Sequence, residues 1–300
     1  MIDFRDRVAV VTGAGRGLGA SHARLLASRG AAVVVNDPGV TPDGQGAETR
    51  PADEVVEEIT AAGGAAVAEY SSVADPTAGE AIVQKAIDEY GRVDILINNA
   101  GILRDKAFHN LEWPNLDAVL DVHLKGAFYV TRPAFRVMRE QTYGRIVMTA
   151  SNAGVIGNFG QSNYGAAKMG LVGLMNVLRL EGARCGIKVN TLAPVARTRM
   201  TEELFGPLVE KFDPAHVSPV VAYFCSEECA VTGEVWSVGG GNISRFFIGR
   251  TGGYFKHPDD DGLLTVEDVA EHLDQIRDEA GYSVPVTLQD EFNVLLPKLG

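Results

Sequence analysis

Three hundred residues with 46% hydrophobic, 22% charged and 7% aromatic side chains make an ordinary globular chain with a sizeable core, and exclude disordered and collagen-like classes. Thirty-nine acidic residues against 27 Lys and Arg leave a net charge of -12, which argues against nucleic acid or an anionic membrane as a partner. Residues 246–300 hold 11 Asp/Glu and only 4 Lys/Arg, so the chain is read as one domain over 1–245 and an acidic C-terminal extension over 246–300.

Short β-branched runs alternate with longer amphipathic segments, the pattern of a parallel sheet with crossover helices. Strands are expected at Val8–Val11, Ala32–Asn36, Ala65–Tyr70, Ile95–Asn98, Arg145–Thr149, Ile187–Leu192 and Val235–Val238. Helices are expected from about Gly17 to Gly30, around Val55, Val56 and Ile59, and after Thr77-x-x-Glu80, read as a capping box. Three more follow over about Asp117–Met138, Tyr164–Gly182 and Ser218–Ser226. Right-handed crossovers arrange these as an α/β Rossmann-type fold, a doubly wound parallel sheet of about seven strands with helices on both faces. The Gly/Pro/polar loop Asp37–Arg50 is longer than a typical connection. Beyond Gly239-Gly240-Gly241 the alternation stops. There Val266, Val269, Leu273 and Ile276 fit one helical face, capped by Thr265-x-x-Asp268, and this stripe is expected to pack on the body or on a partner subunit.

Cys185, Cys225 and Cys229 form no CxxC pair and no disulfide framework, so reduced cysteines in or near a core are expected. The amino end has no signal-peptide shape, no apolar stretch reaches the roughly 20 residues of a membrane span, and Lys298-Leu299-Gly300 is not a peroxisomal address. A cytoplasmic protein is expected.

The first strand leads into Thr12-Gly13-Ala14-Gly15-Arg16-Gly17-Leu18-Gly19. Glycine is wanted in such a turn because the backbone must bend tightly and approach a pyrophosphate, met by N–H groups at the helix amino end. The spacing, Gly13-x-x-x-Gly17-x-Gly19, differs from the common G-x-G-x-x-G. Asp37, 20 residues beyond Gly17 at the end of the second strand, is placed to accept hydrogen bonds from ribose hydroxyls and to repel a 2′-phosphate. It therefore favours NAD over NADP. Arg16 pulls mildly the other way, since a guanidinium there pairs with a phosphate. After the fourth strand comes Asn98-Asn99-Ala100-Gly101, whose small residues leave room for a cofactor ring.

Tyr164 and Lys168 stand at i and i+4, on one face of a helix. A nearby ammonium favours the phenolate and is expected to lower the tyrosine pKa from near 10. Ser151 follows the fifth strand at the carboxyl edge of the sheet, where doubly wound folds bind ligands.

Taken together and in this order, TGxxxGxG at Thr12–Gly19, NNAG at Asn98–Gly101, Ser151 and YxxxK at Tyr164–Lys168 resemble the short-chain dehydrogenase/reductase family over about residues 5–242. The resemblance implies that Tyr164 is the acid–base, that Lys168 lowers its pKa and holds the nicotinamide ribose, and that Ser151 orients the substrate oxygen. The stretches Val34–Asp37, Asn99–Asp105 and Gly157–Gln161 look like the 3-hydroxyacyl-CoA dehydrogenase module of peroxisomal multifunctional enzyme type 2, whose bacterial stand-alone relatives act on acyl-CoA or sterol-fragment CoA thioesters. Three hundred residues cannot also hold the hydratase and sterol-carrier domains fused to that module. The adenine-contacting pair of the family reads Ser72-Val73 here, and the Pro-Gly after strand six reads Pro194-Val195, with Thr198 as the residue that would bind the carboxamide. Where many members carry a proton-relaying Asn in the middle helix this chain has His123, read either as a relay or as a packing residue.

The expected function is NAD-dependent oxidation of a secondary alcohol, a 3-hydroxyacyl-CoA or steroid-CoA, by a homodimer or homotetramer. NADPH-dependent ketoreduction, a free hydroxysteroid as substrate, and NAD sensing without turnover stand as alternatives. Met200–Pro214 is expected to form an apolar lid. Arg104, Lys106, Arg197, Arg199, Arg245 and Arg250 are the candidate cations for CoA phosphates.

Overall fold

Every predicted strand forms, most of them from runs of buried apolar residues. The computed structural model describes residues 2–45, 50–197 and 206–299. Its strands are β1 (Val8–Thr12), β2 (Ala32–Asn36), β3 (Ala65–Glu69), β4 (Ile95–Asn98), β5 (Gly144–Thr149), β6 (Ile187–Pro194) and β7 (Val235–Gly239). An eighth, β8 (Asn242–Phe246), was not expected. It follows Gly240-Gly241, whose φ values of 56° and 81° suit a two-residue reversing turn. Four of its five residues are exposed, so no apolar run announced it.

The sheet order is β3-β2-β1-β4-β5-β6-β7-β8, and β1 pairs in parallel with both β2 and β4. Chain leaving β1 and chain leaving β4 therefore diverge at the carboxyl edge. A crevice opens where such connections part, and ligands of doubly wound sheets bind there.

Helices cover both faces: α1 (Gly17–Ser28), α2 (Pro51–Ala61), α3 (Ala78–Tyr90), α4 (Trp113–Leu120), α5 (Gly126–Gln141), α6 (Asn152–Val155), α7 (Ser162–Gly182) and α8 (Ser218–Cys225). Phe4, Leu26 and Phe224 sit fully buried with the inward residues of β1, β2 and β4. Two local expectations are corrected. The single helix over Asp117–Met138 is α4 and α5 joined by a π turn at Asp121–Lys125. Thr77 makes no side-chain cap for α3; its N–H and hydroxyl both donate to Asp75 Oδ1 at 2.8 Å, so the carboxylate organises that turn.

His22 on α1 is buried, with Nδ1 2.8 Å from the Ser218 hydroxyl of α8. Burial pushes its pKa down to about 3. Between pH 6.5 and 3 the unfolded chain takes up a proton that the folded chain refuses, so stability falls with pH by about 1.4 kcal/mol per unit across that window. Urea titrations at stepped pH should show this slope reduced by one proton in His22→Gln, and equal slopes in both proteins would refute the assignment.

The chain divides into two compact units, Met1–Arg245 and Phe246–Gly300. The second holds α9 (Val266–Glu271), α10 (Leu273–Arg277) and α11 (Leu288–Leu295). Thr265 and Asp268 form the expected capping box. The single helix expected through Ile276 instead breaks at His272, whose φ is −104°, where the imidazole stacks on Tyr254 at 3.8 Å. Within this unit Val266 is 81% exposed and Ile276 is half-buried. All three cysteines are free, Cys225 and Cys229 buried. Among the described residues no helix is long and apolar enough to cross a membrane.

Candidate active site

The turn between β1 and α1 is held open by its glycines. Gly13 and Gly17 have φ of 61° and 55°, the left-handed region that favours glycine. A Cβ on Gly13 would lie 2.8 Å from Ala100 Cα, and one on Gly15 would lie 2.8 Å from Asp37 Oδ2. The NNAG segment closes the other side. Asn99 Nδ2 donates to the carbonyls of Thr12 and Gly13 at 3.1 and 3.0 Å, while the Thr12 hydroxyl accepts the N–H groups of Asn99 and Ala100. Asn98 points the opposite way, donating to the Thr131 hydroxyl at 2.9 Å in the core. One asparagine thus fixes the strand end and the other fixes the glycine turn.

Asp37 stands at the end of β2. Its Oδ2 accepts the Gly15 N–H at 2.9 Å and its Oδ1 the Gly39 N–H at 2.8 Å. Two backbone donors therefore set the carboxylate's direction.

On the opposite side, the Ser151 hydroxyl caps α6 by accepting the Ala153 N–H at 3.2 Å. Asn163, beside Tyr164, fixes the start of α7: its Nδ2 donates to the carbonyls of Arg104 and Asn115, and its Oδ1 accepts the Tyr164 N–H. Lys168 is buried, and its Nζ donates to the Thr149 carbonyl at 2.5 Å and lies 5.4 Å from the centre of the Tyr164 ring.

Here the expected electrostatics are corrected. Burial raises the Tyr164 phenol above 10, with the Ser151 hydroxyl pulling the other way and Asp105 adding to the rise. Burial also brings Lys168 itself down to about 7, leaving much of its charge absent at neutral pH. The chain alone holds the phenol protonated.

His123 belongs to this site. The π turn turns it inward, where it is buried and meets the Tyr164 ring edge-on at 5.1 Å. Its Nε2 lies 3.0 Å from the Ile102 nitrogen and 2.7 Å from the Ile102 oxygen. Burial first, and Lys168 second, hold its pKa well below 6.5, so the ring is neutral. A Cβ on Gly101 would lie 2.4 Å from His123 Cε1, which makes the last glycine of NNAG a requirement of the histidine.

These groups share one cavity of about 750 Å³. Gly13, Arg16, Gly17, Leu18, Asp37, Ser72, Val73, Asn99, Ala100, Gly101 and Pro194 line it, together with Ser151, Tyr164, Lys168 and His123. Gly19 does not. A Cβ there would lie 2.3 Å from the Gly13 carbonyl oxygen, so this glycine lets α1 pack against the turn. Thr198 lies outside the described residues, as do residues 200–205 of the expected lid; no described residue of the rest lines the cavity. Of the five candidate phosphate cations among the described residues, only Arg104 lines it. Arg197, Arg245 and Arg250 pair with Glu210, Glu234 and Glu291, and Arg199 falls outside the described residues. Sequence reasoning missed Thr12, Asn163 and Thr149 as supports. Thr149 acts through its backbone carbonyl, which no side-chain pattern reveals.

A bare glycine cradle, a braced carboxylate at the far strand end and a cavity of this size fit a nicotinamide dinucleotide. Gly13, Gly17, Asp37, Ser72 and Lys168 are the residues that would hold it.

Residues 7–207 match the short chain dehydrogenase family. A short-chain type dehydrogenase/reductase of Mycobacterium tuberculosis is 51% identical over 95% of this chain and 98% of its own length. The hydroxyacyl-CoA dehydrogenase ChsB1 of the same organism is 38% identical over 81% of this chain and 80% of its own. Full-length peroxisomal multifunctional enzyme type 2 from Drosophila melanogaster superposes with a TM-score of 0.84 at 38% identity, over 99% of this chain, which spans about half the length of that protein. The chain therefore belongs to the short-chain dehydrogenase family, oxidoreductase enzymes on a Rossmann-like fold that work with a nicotinamide cofactor.

Proposed function

We propose that this protein is an NAD-dependent dehydrogenase of secondary alcohols, of the 3-hydroxyacyl-CoA or steroid-CoA type, with Tyr164 as acid–base. The observation that carries the reading is the convergence of Ser151, Tyr164 and Lys168 on the cavity that also contains the glycine turn and Asp37. A bound nicotinamide supplies the hydride acceptor. The chain's own residues handle the oxygen and its proton. Ser151 holds the carbinol oxygen beside the phenol, and Tyr164 takes the hydroxyl proton, or returns it in the reverse direction. Lys168, anchored on Thr149, stands behind Tyr164, and the neutral edge of His123 keeps the ring in place.

The raised phenol gives a sign to the pH dependence. Alcohol oxidation needs Tyr164 ionised, so its kcat/KM rises with pH through the neutral range; ketone reduction needs the phenol and is favoured at lower pH. Through the neutral range a rising profile for oxidation and a flat one for reduction, falling only where the phenol ionises, are expected. A shared pH optimum would contradict the role.

Asp37 supports NAD, since a 2′-phosphate beside a carboxylate held by two N–H groups meets like charge. Asp37→Ala should raise KM for NAD about ten- to a hundredfold, the loss of charge-assisted hydrogen bonds, and narrow the gap to NADP. An unchanged preference would remove Asp37 from the discrimination.

The named hydroxyacyl-CoA relative and the acyl-CoA-type module favour a CoA thioester, and the same reading makes 1–245 the catalytic domain and 246–300 an acidic appendage. The deciding experiment follows NADH absorbance with 3-hydroxyacyl-CoAs, steroid-CoAs and free hydroxysteroids, each with NAD and with NADP. Turnover confined to NADPH with ketones would replace this reading by ketoreduction. Binding with no turnover of any substrate would make the protein a sensor.

A further inference from the structure

One wall of the cavity comes from neither the glycine turn nor the catalytic helix. Val40, Thr41, Pro42 and Gly44, in the stretch Pro38–Gln45, line it. This stretch is tied at both ends. Near β2, Asp37 Oδ1 accepts the Gly39 N–H. At the far end it reaches the chain leaving β4, where the Leu103 N–H donates to the Pro42 carbonyl at 3.0 Å and Arg104 Nε donates to the Asp43 carbonyl at 2.9 Å. Gly44 has φ of 81°, and a Cβ on it would lie 3.1 Å from the Ile102 side chain. The Arg104 carbonyl accepts Asn163 Nδ2 at 3.0 Å, so its backbone is fixed to the start of α7 independently of its side chain.

We propose that Pro38–Gln45 is a strap along the dinucleotide cavity, and that Arg104 is the positioning residue that fastens it and thereby sets how fast bound dinucleotide leaves. The inference rests on the reading of this cavity as the nicotinamide-dinucleotide site. The stretch has no regular structure, so its attachments alone decide whether the wall stays in place. Of the two described attachments to the chain leaving β4, that of Arg104 is made by a side chain, and a guanidinium bonding to a carbonyl is stronger than a neutral donor. Because the Arg104 guanidinium is bound to the strap, its substitution releases the wall while leaving the glycine turn, Asp37 and α7 as they are. Gly44 offers the same control from the strap's side, since an alanine there must adopt a left-handed backbone against Ile102.

The test is displacement of NADH from the full chain in stopped-flow fluorescence, with amide exchange of the Leu103 N–H as a local readout and the thermal midpoint as a control for folding. Arg104→Gln and Gly44→Ala should each speed NADH release about tenfold, equivalent to about 1.4 kcal/mol, and should speed exchange at Leu103. Arg104→Lys, which keeps a charged donor, should recover most of the difference. Wild-type release and exchange rates in both Arg104→Gln and Gly44→Ala overturn the strap. A wild-type chain that binds neither NADH nor NADPH overturns the dinucleotide reading and the strap with it.

Discussion

Tyr164→Phe should lower turnover at least about a thousandfold while NADH affinity stays within about twofold of the parent. On the role proposed for Tyr164, the substitution removes the group that exchanges a proton with the substrate oxygen, and positioned acid–base groups contribute about 10² to 10⁴ in rate. Little else should change. The ring remains, so the edge contact with His123 at 5.1 Å survives, and the start of α7 is held by Asn163 through backbone groups that the substitution leaves intact. Single-turnover rates and NADH titrations on the same preparation separate the two effects, since a loss confined to the chemical step appears in kcat and not in cofactor binding. More than a tenth of parental turnover in Tyr164→Phe would sink the acid–base assignment.

Lys168→Met should inactivate the enzyme and stabilise the fold. Burial holds Lys168 at about 7 against 10.5 in the open chain. At pH 7 and below, that difference is about 5 kcal/mol of lost stability. Methionine removes this cost but leaves the Thr149 carbonyl without its donor, a penalty of about 1–3 kcal/mol, so a net gain of about 2–4 kcal/mol is expected at pH 7 and below. The sign against pH is specific. As pH falls from 10.5 to 7 the unfolded chain binds a proton that the folded lysine does not, so the parent loses stability over that window and levels off below it. The variant lacks this dependence. Urea unfolding from pH 7 to 10 should show the variant's advantage shrink as pH rises and reverse toward pH 10, where the Thr149 penalty outweighs the remaining cost of the lysine. A variant that is equally destabilised at every pH would mean that the ammonium is better accommodated than its burial suggests.

The two predictions show why the site was only partly legible beforehand. Glycines at fixed spacing, a carboxylate at a strand end and a Tyr and Lys one turn apart are sequence signals, and all but Gly19 lie on the cavity. Other features of the site depend on groups that leave little trace in sequence. The Thr149 carbonyl that holds Lys168 is backbone. The π turn that turns His123 inward runs through Asp121–Lys125, which holds no Gly or Pro to mark a break, so the segment reads as one continuous helix. The sign of the tyrosine shift is not legible in the spacing, because spacing reports proximity and not burial, and burial is the largest influence on both Tyr164 and Lys168. In the fold the misses have the same cause. β8 is an exposed edge strand without an apolar run, and the cap of α3 passes to Asp75 because a nearer carboxylate outcompetes the predicted box.

Asp37 bonds Gly15 as well as facing the cavity, and that double engagement bears on how cofactor preference evolves in this chain. A lineage drifting toward a phosphorylated dinucleotide would need to lose the carboxylate that repels the phosphate and, at the same step, gain another acceptor for the Gly15 N–H. Either change alone leaves a buried donor or a repelled ligand. On the reading proposed for the site, its coenzyme choice is buffered against single substitutions, and redesign should begin from paired replacements at Asp37 and a neighbouring position.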